Sequence, residues 1–219
     1  MMTSALLAGV PFFSGLAEDD LEQIAEHATP ESFRRGALII SDGDPADALY
    51  VVINGRVKVF LGSDDGKEVV LTILGPGESF GEIALLDEEP RSASVAAMEK
   101  TTVLVIRRDR FLELLRENSD LSWAMIRSLS HLVRRLTGSV QSLALNDVYR
   151  RIVEILEQRG VFEGEVRVIN ERLTHQLLAD MVGASREMVS RIMSDLVKGG
   201  YLTVSRDQIR INRRLPSGW

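Results

Sequence analysis

The sequence contains no cysteine and shows no excess of positive charge. The absence of thiols excludes disulfides, thiolate nucleophiles, thiolate zinc sites and cysteine-ligated iron–sulfur clusters. The 26 basic and 32 acidic residues give a formal net charge of -6, whereas chains that bind nucleic acid usually carry a basic excess. Averaged over all 219 residues, the charge therefore argues against nucleic acid as a partner.

Long hydrophobic runs and targeting signals are also missing. The longest early apolar stretch, residues 5–13, is interrupted by Gly9 and Pro11 and has no basic residue before it. A secretory signal needs a positive segment in front of the apolar one, and a membrane helix needs about 18 or more apolar residues. We therefore expect a soluble cytoplasmic protein that does not associate with membranes.

The segment from residue 37 to residue 106 has the rhythm of short strands separated by tight turns. The predicted strands are rich in Val and Ile and cover residues 37–41, 49–53, 56–61, 68–74 and 101–106. Strands about 8–12 residues apart indicate a β-roll or barrel rather than βαβ units. A short helix over residues 17–28 is predicted to precede this roll.

After residue 108 the apolar pattern becomes helical. Apolar residues recur every three or four positions and form one stripe: Met125, Leu129, Leu132, Leu136, Val140 and Leu143. A long helix with such a stripe often pairs with a copy of itself, and we favour that over packing on its own domain. A second helix is predicted to begin near Asn146 or Asp147, either of which could cap it, and to end near Gln158.

The C-terminal segment has the pattern of a winged helix-turn-helix. Helices are predicted over residues 174–182 and 186–198, joined by a turn that contains Gly183, and a hairpin over residues 201–211 would form the wing. The apolar side of the second helix consists of Val189, Ile192, Met193 and Leu196. Its opposite side carries Arg186, Glu187, Ser190 and Arg191.

The distribution of charge supports a boundary near residue 146. Residues 1–146 hold 14 basic and 22 acidic residues, whereas residues 147–219 hold 12 basic and 10 acidic residues. The acidity therefore belongs to the N-terminal part of the chain. We predict an α+β protein with a β-roll over residues 1–118, a dimerisation helix over residues 119–145 and a winged helix-turn-helix over residues 146–219.

The densest motif is FGEIALLDEEPRSASV, residues 80–95. Gly81 allows close backbone approach and leads into a short helical turn, whose free N–H groups would form an anion site. Arg91, nine residues after Glu82, offers a guanidinium suited to a phosphate. A carboxylate at Glu82 makes sense if the ligand also carries a hydroxyl pair, as a ribose does. The alternative is a structural ion pair between Glu82 and Arg91.

This motif resembles the phosphate-binding cassette of cyclic-nucleotide-binding domains. The order of strands, long helix and helix-turn-helix over about residues 12–213 resembles the bacterial cyclic AMP receptor protein (CRP/FNR) family of transcription regulators. The resemblance implies a double-stranded β-helix, or jelly-roll-like, β-roll. It also implies that Glu82 binds the ribose and that Arg91 and Ser92 bind the cyclic phosphate. The backbone N–H groups that would assist are those of Gly81, Ile83 and Ala84. Alternatively, Ser92 does not bind the phosphate and is simply a half-buried residue of a strand.

The base-reading positions depart from the family pattern. Cyclic-AMP sensors of the family carry a threonine and then a serine on the long helix, and these positions correspond to Leu136 and Thr137. Thr137 could hydrogen-bond the base edge, whereas Leu136 cannot. Cyclic AMP is the expected effector, with cyclic GMP or another effector as alternatives, and no prosthetic group is expected. The histidines, at positions 27, 131 and 175, are far apart and predict no metal site.

The second motif is GASREMVSR, residues 183–191. In the family that it resembles, this helix reads a TGTGA-type half-site, which assigns base contacts to Arg186, Glu187 and Arg191. The chemistry agrees, because arginine binds guanine bidentately and glutamate accepts from the cytosine amine. Ser185 and Ser190 belong to the same expected DNA contact. We also expect contacts with the DNA phosphates from three residues before the first helix: Thr174, His175 and Gln176.

Together these motifs predict a ligand-gated homodimeric transcription regulator of double-stranded DNA with a pseudo-palindromic TGTGA/TCACA-like operator. As an activator it would also contact RNA polymerase. Gly138 inside the long helix costs about 1 kcal/mol relative to alanine, which predicts a hinge that ligand contacts would order; close helix approach is the other interpretation. No enzymatic activity is expected. The alternatives are a family member with another effector or none, and a cyclic-nucleotide sensor acting on a protein partner.

Overall fold

The computed structural model describes residues 7–8, 10, 13, 16–63, 66–164 and 166–216. The described residues form seven helices and twelve strands, a mixed α+β fold as predicted. The chain falls into two compact units, one of residues 1–66 and 70–134 and one of residues 67–69 and 135–219. In the part of the chain that is described, no helix combines the length and the apolar character that a membrane span requires.

Helix α1 (Glu18–His27) precedes the strands of the first unit. Eight strands follow, with bounds β1 (Ala28–Phe33), β2 (Leu38–Ile40), β3 (Ala48–Asn54), β4 (Val57–Gly62), β5 (Glu68–Leu74), β6 (Ser79–Phe80), β7 (Ser94–Ala97) and β8 (Thr101–Arg107). The short helix α2 (Ile83–Leu86) lies between β6 and β7, and helix α3 (Arg108–Glu117) follows β8.

These strands form two four-stranded sheets, in the orders β1-β8-β3-β6 and β2-β7-β4-β5. Strand β3 is buried on both faces, because Leu49 and Val51 belong to one hydrophobic cluster with the helices and Val52 belongs to a second cluster with strands of both sheets. A strand buried on both faces reads as a continuous apolar run rather than an alternation. The β-roll that the turn spacing predicts is therefore confirmed.

Strand β1 is the main element of the roll that the sequence pattern did not predict. Its sequence, ATPESF, contains a proline, and its four central residues are exposed. It lies at the edge of its sheet and pairs with β8, where Ala28 is opposite Ile106. A proline is tolerated at a sheet edge because it removes no hydrogen bond from the ladder interior. The strand was not predicted because its sequence lacks the apolar residues that are typical of strands.

Helix α4 (Ser119–Leu145) has 27 residues, which confirms the predicted long helix. The predicted apolar stripe is wrong at Met125, which is buried in the core of the first unit. The exposed apolar side chains include three at seven-residue spacing: Ile126 (50% exposed), Val133 (62%) and Val140 (66%). Leu136 and Leu143 follow the last two of these by three residues and are 40% and 50% exposed. The predicted stripe is therefore exposed at Leu136, Val140 and Leu143, whereas Met125 and Leu129 pack against the core of the first unit.

The C-terminal unit contains three helices and a four-stranded sheet in the order β11-β12-β10-β9. The bounds are α5 (Val148–Arg159), β9 (Val161–Glu163), β10 (Val166–Ile169), α6 (His175–Val182), α7 (Arg186–Lys198), β11 (Leu202–Val204) and β12 (Ile209–Ile211). Of the two candidate caps, Asp147 caps α5, because its Oδ1 accepts from the Arg150 N–H at 2.8 Å. Strands β9 and β10 were not predicted; the helix-turn-helix and its wing are confirmed.

Candidate functional site

The first candidate site lies where β6 ends and the chain turns into α2. Gly81 has a φ of 88°, a left-handed conformation that glycine adopts readily and other residues do not. A Cβ at this position would lie 2.7 Å from Nη1 of Arg91 and 3.3 Å from the carbonyl oxygen of Ala48. The close backbone approach expected at Gly81 is therefore an approach to Arg91.

Arg91 donates hydrogen bonds to four acceptors, three of them through its guanidinium group. Its Nη1 donates to the Gly81 carbonyl at 2.8 Å, and its Nη2 donates to the Ala48 carbonyl at 2.8 Å and to Oδ1 of Asp47 at 3.1 Å. Its backbone N–H donates to the Asp44 carbonyl at 2.9 Å. Only 4% of the residue is exposed. The structure thus places a buried, fixed positive charge beside the first turn of α2.

The acid that the structure shows in an ion pair with Arg91 is Asp47, which belongs to neither of the two sequence motifs. Asp47 precedes β3 and is 44 positions away from Arg91, so no local spacing could have revealed it. Glu82, the residue before α2, is half-buried, and its Oε2 atom is buried. The carbonyl of Glu82 accepts from the N–H groups of Leu85 and Leu86 at 3.1 Å each.

The remaining cassette residues surround this turn. Ile83 and Ala84 are the first residues of α2, and the N–H groups that open a helix have no acceptor within it. Ser92 follows Arg91 and is exposed. Because β7 begins only at Ser94, the alternative that Ser92 is a half-buried strand residue is wrong. The structure therefore brings Gly81 and Arg91 into contact and places Ser92 in the exposed segment before β7.

An aromatic pair flanks the arginine. The rings of Tyr50 and Phe80 stack with centroids 5.1 Å apart, and Cζ of Arg91 lies 5.7 Å from the centre of the Tyr50 ring. Burial raises the pKa of the Tyr50 hydroxyl, the Asp47 carboxylate raises it further, and the Arg91 charge opposes both. Tyr50 is therefore a neutral phenol at physiological pH and adds no charge to the site.

The predicted base-reading residues lie on α4. Leu136 and Thr137 are both exposed, and their contact with a base stays a prediction. The helix runs unbroken through Gly138, where an added Cβ would meet no atom within 4 Å. An alanine is therefore sterically acceptable at this position.

The second candidate site is the exposed side of α7. Gly183 closes α6 with a φ of 62°, and Oγ of Ser185 caps α7 by accepting from the Met188 N–H at 3.2 Å. On the inner side of α7, Val189, Met193 and Leu196 are buried. On the outer side, Arg186, Glu187 and Arg191 are exposed and Ser190 is half-buried. The two arginines and the glutamate therefore share an accessible face at the start of a capped helix.

The start of α6 corrects one expectation. His175 and Gln176 do not precede the helix but are its first two residues, because Thr174 is the capping residue. Oγ1 of Thr174 accepts from the Leu177 N–H at 3.1 Å, and Nε2 of Gln176 donates to Oδ1 of Asp180 at 2.7 Å. The cap satisfies one of the N–H groups that open α6, and Thr174 itself keeps an extended backbone conformation. Thr174 and Gln176 are exposed, and His175 is half-buried.

The remaining charged side chains do not form a third candidate site among the described residues. Among the described residues, no group of three or more His, Asp or Glu side chains is placed to hold a metal ion. In the wing, Arg206 and Arg210 are exposed. Arg213 lies over the ring of Tyr201 with Cζ 4.1 Å from the centroid and also donates to the Gly199 carbonyl.

Comparison with known proteins agrees with this two-site arrangement. The cyclic nucleotide-binding domain model matches residues 30–118, and the Crp-like helix-turn-helix domain model matches residues 148–214. The chain is 31% identical over 205 residues to the cyclic AMP receptor protein of Thermus thermophilus, with 94% of each chain covered. It is 28% identical over 211 residues to a CRP-like cAMP-activated global transcriptional regulator of Mycobacterium tuberculosis, again with 94% of each covered.

A solved structure gives the same result. The c-di-GMP responsive global regulator of Xanthomonas campestris matches with a TM-score of 0.78 and 25% identity, over 90% of this chain and 100% of that one. The matches to these regulators extend over almost the whole chain, and the two domain models cover the cassette at Arg91 and the helix α7. The chain belongs to the cyclic AMP receptor protein (CRP/FNR) family of transcription regulators.

Proposed function

We propose that this chain is a homodimeric transcription regulator that binds double-stranded DNA when a cyclic nucleotide, cyclic AMP, occupies its β-roll. The observation that carries the DNA-binding part is the outer face of α7. It exposes Arg186 and Glu187 in the first turn and Arg191 just over one turn later. A helix read from its N-terminal end in the major groove uses side chains at these positions.

The chemistry of this face fits a TGTGA/TCACA-like operator. Arginine binds O6 and N7 of guanine with two hydrogen bonds, and glutamate accepts from the amine of cytosine. Ser185 fixes the first turn of the helix through its cap, and Ser190 faces the same side. Thr174, His175 and Gln176 at the start of α6 are proposed phosphate contacts. Because residues 147–219 carry little net positive charge, affinity must depend on local arginine placement and on dimerisation.

The dimer is proposed from the outward face of α4. Ile126, Val133 and Val140 are exposed and repeat every seven residues, which is the repeat of a coiled-coil seam. A homodimer that reads DNA with both α7 helices needs them about one DNA turn, ~34 Å, apart, which implies a pseudo-palindromic operator.

The effector is proposed from the cassette and the relatives. Glu82 would bind the ribose, and Arg91 with Ser92 would bind the cyclic phosphate, assisted by the N–H groups that open α2. Thr137 would contact the base. The relatives from Thermus thermophilus and Mycobacterium tuberculosis carry cyclic AMP in their names. As an activator, the protein would also contact RNA polymerase.

A second candidate is a regulator of the same family with a different effector. The apolar Leu136 stands where a base-reading hydroxyl is expected, and the matching regulator from Xanthomonas campestris responds to c-di-GMP. Cyclic GMP and c-di-GMP are therefore the ligands to compare with cyclic AMP.

The DNA-binding part is tested by fluorescence anisotropy on a duplex that carries the TGTGA/TCACA palindrome, with cyclic AMP present. Each bidentate arginine–guanine contact is worth about 1–3 kcal/mol, so Arg186→Ala and Arg191→Ala should each weaken binding by about 5- to 150-fold. Arg116→Ala removes the same charge from an exposed position on α3 and should leave binding unchanged. Wild-type affinity in both α7 variants would contradict the proposal.

A further inference from the structure

Met188 is an exposed apolar residue in the first turn of α7. It is 48% exposed, although it directly follows Glu187 and precedes Arg191 by three residues. Its backbone is fixed, because the Met188 N–H donates to Oγ of Ser185 at 3.2 Å. A thioether has no donor for a phosphate oxygen, so a hydrogen bond to the DNA backbone does not account for a methionine at this position.

Met188 is also the most accessible sulfur in the part of the chain that the structure describes. The sequence has no cysteine and seven methionines, and the two N-terminal methionines lie outside the described residues. Two of the other described methionines are buried and two are half-buried: Met125 and Met193, then Met98 and Met181. Because an oxidant reaches exposed sulfur first, Met188 should react before these four.

Oxidation changes the chemistry of this face of α7. Hydrogen peroxide transfers one oxygen atom to a thioether: the O–O bond breaks, an S–O bond forms, the sulfur loses two electrons and the peroxide is reduced to water. The product is a sulfoxide, which is polar and chiral and whose oxygen accepts hydrogen bonds. The thioether therefore becomes an acceptor inside the proposed DNA contact.

The new acceptor competes with DNA for Arg191. Residues three apart on a helix are neighbours, and long side chains lean toward the N-terminus of their helix. The Arg191 side chain therefore extends toward the turn that carries Met188. A sulfoxide oxygen there takes up N–H groups that the guanidinium would otherwise donate to guanine.

We propose that Met188 is an oxidation site that controls DNA binding: conversion of its thioether to the sulfoxide weakens binding, and reduction of the sulfoxide restores it. The proposal rests on the DNA-binding function proposed above. It does not involve the β-roll, so oxidation of Met188 leaves the affinity for cyclic AMP unchanged.

The expected loss of DNA affinity is at least about fivefold, the lower end of what one arginine–guanine contact is worth. Methionine sulfoxide reductases, one for each epimer of the sulfoxide, should return the affinity to that of the untreated protein. A bound duplex covers the start of α7, so it should slow the oxidation of Met188 but not that of Met98 in the β-roll.

Fluorescence anisotropy on the TGTGA/TCACA duplex, with cyclic AMP present, tests the proposal. The full-length wild type is treated with hydrogen peroxide until mass spectrometry of its peptides shows oxidation at Met188, and it is compared with the untreated protein. A part of the treated sample is then incubated with both reductases and measured again. Calorimetric titration with cyclic AMP checks that the β-roll is unaffected.

Three variants assign the effect to one sulfur atom. Met188→Leu keeps an apolar side chain without sulfur, so the treatment should not change its affinity. Met181→Leu is the matched control: it removes a half-buried methionine from α6 and should lose affinity on treatment as the wild type does. Met188→Gln places a permanent polar acceptor at the site and should bind weakly without treatment. Thermal unfolding checks that the three variants are equally stable.

Four results would overturn the inference alone: equal affinity of the oxidised and untreated wild type, an equal loss on treatment in Met188→Leu, a loss that the reductases do not reverse, or wild-type affinity in Met188→Gln. If the untreated wild type does not bind the duplex, the proposed DNA-binding function fails and this inference fails with it.

Discussion

Gly81→Ala tests how tightly the cassette is built around Arg91. The new Cβ would lie 2.7 Å from Nη1 of Arg91, 3.3 Å from the Ala48 carbonyl and 3.4 Å from Cδ1 of Ile40. Nη1 cannot retreat freely, because it donates to the Gly81 carbonyl and its guanidinium is buried. The substitution therefore pushes on the group that is proposed to hold the phosphate.

The cost has two parts. A non-glycine residue in a left-handed conformation costs roughly 1–2 kcal/mol, and Gly81 has a φ of 88°. Crowding in a packed site typically costs about 1–3 kcal/mol. We expect the free energy of unfolding to fall by about 2–5 kcal/mol and cyclic AMP binding to be lost, because Arg91 must move.

Urea unfolding followed by circular dichroism, together with calorimetric titration of cyclic AMP, measures both effects. Gly36→Ala is the matched control, since Gly36 has a φ of 80° but a Cβ there would meet no atom within 4 Å. It should lose only the conformational part, about 1–2 kcal/mol, and keep its ligand affinity. Equal losses of stability in the two variants, with ligand binding intact in both, would refute the reasoning.

Three further substitutions test the other parts of the proposed function. Val133→Glu places a charge in the centre of the exposed apolar face of α4, so the protein should sediment as a monomer, whereas Gln141→Glu on the same helix should leave a dimer. Glu82→Gln should weaken cyclic AMP binding tenfold or more, as about 1.5–3 kcal/mol for a charged hydrogen bond implies, but should not affect the 2′-deoxy analogue; equal losses would argue against a ribose contact. Gly138→Ala should favour the helix by about 1 kcal/mol and raise DNA affinity without ligand in an anisotropy titration, and an unchanged affinity would count against a hinge.

Local patterns account for the parts of the fold that were predicted. The helix-turn-helix follows from the spacing of Val189, Met193 and Leu196 and from the turn at Gly183, which are close in sequence. The cap at Asp147 and the strand β5 are likewise determined by residues that are neighbours in the sequence. In each case the residues that determine the element are close to it in the sequence. The element can therefore be predicted from the sequence pattern alone.

The missed features depend on contacts between distant segments. Asp47 meets Arg91 only because β3 and the cassette come together in the roll. Met125 fits the apolar period of α4, but the fold buries it, so periodicity alone assigned it to the wrong face. Strand β1 is held by its pairing with β8 rather than by its own composition. Tertiary contacts decided these cases, and no single-segment pattern carries that information.

The central claim is that a cyclic nucleotide controls DNA binding, and one titration tests it directly. Wild-type protein is titrated into a fluorescent TGTGA/TCACA duplex without nucleotide, with cyclic AMP and with cyclic GMP, at one fixed salt concentration. Couplings between two sites are typically about 1–3 kcal/mol, or 5- to 150-fold, so cyclic AMP should tighten DNA binding by a factor in this range. Equal affinity in all three titrations would contradict the gating, and no binding in any of them would contradict the assignment of α7 as the recognition helix.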